Sequence, residues 1–96
     1  MSKPYRVEWR PIAQDDLRAV IRYIGKDNPA RSVSFGEEMR NKIASLATHA
    51  EIGRTGRLPD TRELVVHPNY IVVYRVLNDR SAVQILRIKH AAQQFP

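Results

Sequence analysis

The sequence predicts an α+β fold: an N-terminal strand, a helical hairpin, then a three-stranded antiparallel meander packed on the helices, with a short C-terminal tail. Two observations carry this. Residues 61–90 hold three runs rich in Val, Ile and Tyr, broken at His67-Pro68-Asn69 and at Asn78-Asp79-Arg80-Ser81. β-branched and aromatic residues suit a pleated surface, and Pro, Asn and Asp interrupt it. The breaks are only about three or four residues long, the length of hairpin connections, so successive runs must turn back on one another. Upstream, Ala13, Leu17, Val20, Ile21 and Ile24 recur at helical spacing and define one apolar stripe.

Taken in order, Tyr5-Arg6-Val7-Glu8-Trp9 alternates with the period of a strand, placing Tyr5, Val7 and Trp9 on one face and Arg6, Glu8 and Arg10 on the other. Pro11 opens the first helix, since a proline there loses only an N–H that has no partner. Asp15 and Asp16 fall in its first turns, where the helix dipole favours negative charge. Arg18 and Arg22 lie off the apolar stripe and are expected in solvent. Asn28-Pro29 ends one helix and caps the next. The second helix carries Ser32, Phe35, Gly36, Met39, Ile43, Leu46 and Ala47 on one side. Gly36 costs about 1 kcal/mol of helix stability relative to Ala, which close approach of the two helices would explain. His49 follows at the dipole's negative end. Residues 50–60, with two glycines, a proline and two arginines, read as a surface loop; they lack the Gly-Lys-Ser/Thr ending of a phosphate loop.

At 96 residues without internal repeats, residues 1–96 form one domain. No apolar run approaches the ~20 residues of a membrane helix and no signal-peptide core is present, so a cytoplasmic location is expected. The absence of cysteine excludes disulfides and thiolate metal sites, and no cofactor is expected. The net charge of +6 is uneven: residues 1–53 hold nine Lys and Arg against seven Asp and Glu, while residues 54–96 hold seven against three. The excess lies in the loop and meander, with Arg62, Arg75 and Arg87 one to a strand. Such a distribution favours an acidic partner.

The ordered set Gly53-Arg54-Thr55-Gly56-Arg57, Arg62-Glu63-Leu64, His67-Pro68-Asn69-Tyr70, Tyr74-Arg75-Val76 and Ile85-Leu86-Arg87-Ile88-Lys89-His90 is similar to the RelE/ParE superfamily of toxins from type II toxin–antitoxin systems. The resemblance spans nearly the whole chain. It implies a toxin neutralised in a hetero-oligomer by a cognate antitoxin with an acidic tail. It leaves two targets: DNA gyrase in the ParE-like branch, or messenger RNA cut on the ribosome in the RelE-like branch. Arg54, Arg57, Arg62, Arg75, Arg87 and His90 are the candidate antitoxin- or target-binding residues. For RNA cleavage, Arg62 and Arg87 would stabilise phosphorane charge and His90 would move the proton. Residues 91–96 add no tyrosine and no basic group, which favours the ParE-like reading. A plain nucleic-acid-binding module is a third reading. It is disfavoured because Tyr70 and Tyr74 share a strand face with Val72 and Val76, the pattern of core rather than of a stacking platform.

Overall fold

The structure, a computed structural model, describes residues 3–92. Strand β1 (Arg6–Trp9) leads into α1 (Pro11–Asp27), α2 (Pro29–Ala44) and a 3-10 turn (Ser45–Ala47). Then follow β2 (Arg54–Thr55), β3 (Arg62–His67), β4 (Tyr70–Leu77), a 3-10 turn (Asn78–Arg80) and β5 (Ala82–His90). Each helix begins with its proline. Asn28 serves both helices: its backbone N–H donates to the Ile24 carbonyl and its side chain accepts the Arg31 N–H at 3.0 Å. That reciprocal use of one residue is why two helices meet with no loop between them.

β3, β4 and β5 form the expected antiparallel meander, but the sheet is larger and mixed, with strand order β1-β5-β4-β3-β2. β1 runs parallel to β5, Val7 opposite Val83 and Trp9 opposite Ile85. β2 pairs antiparallel with β3 at the other edge. Neither addition could be read locally. A parallel neighbour is joined through the whole helical hairpin rather than a turn, and a two-residue strand is too short to show a period.

The helices cover one sheet face. Ala13, Leu17, Phe35, Met39, Ile43 and Leu46 pack against Val66, Tyr70, Val72, Tyr74, Val83, Ile85 and Ile88, with Val20, Ile21 and Ile24 partly buried beside them. Burying each large side chain contributes roughly 1.5–3 kcal/mol. The expected helix approach is present: a Cβ added at Gly36 would lie 3.0 Å from Ile21 Cδ1. The two tyrosines are core, at 8% and 0% exposure.

Register assigns the polar residues to faces. Arg62 pairs with Tyr74 and His90 with Tyr70, both on the helix-covered face. Val73 pairs with Arg87 and Tyr74 with Ile85, so Leu86 is an extra residue in β5. This bulge sets Leu86 and Arg87 side by side on the bare face, which Arg75 and Lys89 share.

Candidate functional site: a cationic groove on the bare face of the sheet

The bare face holds a groove of about 580 Å³. Its floor is Val73 and Leu86, and Arg10, Arg75, Arg87 and Lys89 surround it. Leu58, Pro59, Asp60 and Thr61 form a wall. Four cations face one carboxylate, that of Asp60. The mouth therefore attracts anions.

The wall is not a loose connector. The buried Tyr74 hydroxyl accepts the Gly53 N–H at 2.9 Å and donates to the Ala50 carbonyl at 2.8 Å. Burial raises the Tyr74 phenol above its usual range, against the opposing effect of the Gly53 hydrogen bond. Glycine is required at position 53 because a Cβ there would sit 2.6 Å from that hydroxyl. Arg62 donates to the carbonyls of Glu51 at 3.2 Å and Gly53 at 2.7 Å. On the other face, the Glu63 carboxylate, its side chain 2% exposed, accepts from Arg54 Nη2 at 3.1 Å and from the Arg57 N–H at 3.0 Å. The Gly56 N–H closes the turn on the Thr61 carbonyl at 2.8 Å.

Arg87 is anchored as well. Its Nε and Nη2 donate to the two Asp16 carboxylate oxygens at 2.8 and 3.0 Å, and this hydrogen bonding raises the guanidinium pKa further. Asp16, expected to serve the helix dipole, thus ties α1 to β5.

The structure does not bring Arg62, Arg87 and His90 together. Arg62 holds the loop from the helix side, and His90 ends β5 on that same side beside Tyr70, with ring centroids 5.3 Å apart. His90 Nδ1 accepts the Ala92 N–H at 3.1 Å, which places the proton of a neutral ring on Nε2. His67 repeats the arrangement with the Asn69 N–H at 3.1 Å and packs against Phe35 and Tyr70. Of the six candidate binding residues, only Arg75 and Arg87 line the groove. Arg10 and Lys89 join them, and both were within reach of the strand period: Lys89 is two residues from Arg87, and Arg10 continues the polar face of Arg6 and Glu8.

A second concavity of about 440 Å³ lies between the helices and β1. Val7, Trp9, Leu17 and Ala44 line it together with Gln14, Arg18 and Arg40. Among the described residues, no helix is long and apolar enough to cross a membrane, and no cluster of His, Asp and Glu could hold a metal ion.

The fold and groove are those of a small toxin. Residues 7–95 match the family described as the ParE toxin of the type II toxin–antitoxin system parDE, and the chain belongs to that family, within the RelE/ParE superfamily. It is similar to Y4kP, a candidate toxin of Sinorhizobium fredii, at 36% identity over 95% of this chain and 93% of that one. Its fold is similar to that in the chromosomal ParDE system of P. aeruginosa, with a TM-score of 0.81 and 22% identity over 93% and 98% of the two chains. It is also similar to that in the E. coli RelBE toxin–antitoxin complex, with a TM-score of 0.68 and 15% identity over 93% and 99%.

Proposed function

We propose that this toxin acts as a ParE-type inhibitor of DNA gyrase, by binding rather than by cutting a bond, and that a cognate antitoxin with an acidic tail neutralises it in a cytoplasmic hetero-oligomer. One observation carries the choice of target. The groups that RNA cleavage would draw on are divided between two faces: Arg87 with the groove cations on one, His90 and Arg62 on the other. Cleavage by 2′-hydroxyl attack needs a proton carrier and the phosphorane-stabilising cations around one phosphate. The groove offers cations and the single carboxylate of Asp60, but no imidazole or phenol. Inhibition by binding asks for no such convergence.

Neutralisation is supported by family membership and by the ParDE and RelBE neighbours, which belong to toxin–antitoxin pairs. The test is direct. Purified toxin is assayed for inhibition of gyrase supercoiling and for cleavage of messenger on translating ribosomes. Inhibition without cleavage is expected; cleavage without inhibition moves the protein to the RelE-like ribonuclease reading.

A further inference from the structure

We propose that the bare-face groove is a docking site for a carboxylate-rich peptide segment bearing an aliphatic side chain, anchored by Arg75. The proposal deepens the antitoxin half of the function above by naming the chemistry of the contact, and it makes no use of the gyrase assignment.

Arg75 Nε is, among the described residues, the one buried side-chain polar atom without a hydrogen-bond partner. A buried charged donor left unpaired is costly, and such groups persist where a ligand completes them. The neighbouring arginines differ: Arg87 is held by Asp16 and Arg62 by loop carbonyls. Arg75 lies on β4, the middle strand of five, so its backbone is fixed from both sides. A guanidinium fixed in this way can bind a carboxylate through two N–H groups at once.

The rest of the groove says what else the ligand carries. Arg10 and Lys89 add charge around Arg75, while Val73, Leu86 and Leu58 offer apolar surface to an aliphatic side chain. No aromatic ring lines the groove, so it lacks the stacking platform on which single-stranded nucleic acid is held. The volume falls within the ~300–1,000 Å³ of ordinary ligand sites. An acidic peptide fits this chemistry better than an oligonucleotide.

Fluorescence anisotropy on the full chain tests it, using a labelled peptide Leu-Glu-Glu-Leu-Glu-Asp, its Gln/Asn counterpart and a labelled hexauridylate. The acidic peptide is expected to bind, and the other two to bind far more weakly. Arg75→Gln is expected to weaken peptide binding about 10- to 100-fold, the loss that removing a charge-assisted hydrogen bond produces. Lys89→Gln supplies a second variant at the groove that leaves the central strand intact, and is expected to weaken binding as well. Arg22→Gln on the far helix surface should bind as the parent does. Circular dichroism confirms that each variant is folded. Parent-like binding by folded Arg75→Gln and Lys89→Gln variants would overturn the proposal, as would hexauridylate binding more tightly than the peptide, or no peptide binding at all. Growth arrest on induced expression, rescued by the antitoxin, is scored separately. Arrest without peptide binding removes only the groove assignment, whereas Arg75-dependent binding without arrest removes only the toxin reading.

Discussion

Arg87 and Asp16 join the first helix to the last strand by a two-point ion pair, with N–O distances of 2.8 and 3.0 Å. The same carboxylate accepts the Ile88 N–H at 2.9 Å. β1 pairs with β5 only as far as Ile85, whose carbonyl accepts the Arg10 N–H at 3.1 Å. Beyond that point Asp16 does what a strand neighbour would have done. The carboxylate therefore finishes a sheet edge and steadies a groove cation at once.

Asp16→Asn keeps the shape and removes the charge. It is expected to lower stability by about 1–3 kcal/mol, the range for charge-assisted hydrogen bonds in a partly buried setting. Asp15→Asn breaks only an exposed pair with Arg18 and should change stability by less than about 1 kcal/mol. Urea unfolding midpoints measure both. Equal losses would mean that the link between α1 and β5 contributes nothing beyond a surface contact.

Leu17 and Ile43 face the sheet from different helices at 1% and 0% exposure. Replacing either with Ala is expected to cost roughly 2–5 kcal/mol, combining lost transfer free energy with the cavity left behind. Unchanged denaturant midpoints would contradict the core described above.

The strands of the meander, both helices and the Asn28-Pro29 junction were legible because each is written in a local signal: period, cap or turn residue. The groove was not. Arg62 and Arg75 look equivalent in sequence, yet register sends one to the helix side and the other to the bare face. The bulge at Leu86 resets the parity of β5, so the faces of Arg87 and Lys89 cannot be counted forward from Ala82. Asp16 and Glu63 looked like solvated acids, and their partners became visible only when distant segments met. The order of the elements follows from neighbours in sequence; the site follows from pairings across 71 residues.

The Tyr74 hydroxyl is the post on which the groove wall hangs. Tyr74→Phe leaves the Gly53 N–H and Ala50 carbonyl without this partner and is expected to cost about 1–3 kcal/mol. Gly53→Ala should destabilise the same loop by steric conflict, and combining the two substitutions should cost less than their sum, because the hydroxyl that clashes is gone. A double-mutant cycle in urea reads this; strict additivity would dissociate the loop from Tyr74.

Tyr74 also predicts a pH dependence. Its folded-state pKa is raised, chiefly by burial. Stability from the protonated phenol is thus complete below the unfolded value near ~10 and is lost as pH climbs through the higher folded value. Tyr74→Phe should therefore show a flatter decline in stability above about pH 10 than the parent. Parallel declines for the two proteins would remove the assigned role of the phenol.

The last prediction concerns His90, on which the two target readings make opposite demands. With Nδ1 accepting the Ala92 N–H, a neutral His90 carries its proton on Nε2 and has no second lone pair to offer as a base. To serve as an acid it must gain a proton on Nδ1, which expels the Ala92 N–H and opens the turn. Either catalytic role thus costs a hydrogen bond that the resting chain makes. A gyrase inhibitor asks for neither, so His90→Ala is expected to leave growth arrest and inhibition of supercoiling nearly intact while the fold is preserved. Removing a general acid or base would instead lower cleavage by about 10²- to 10⁴-fold. Growth after induced expression, supercoiling by purified gyrase and messenger integrity are followed together for parent and variant. If the parent cuts messages and a folded His90→Ala chain neither cuts them nor arrests growth, the target is the ribosome, and His90 must reach its substrate from the helix side of the sheet rather than through the groove.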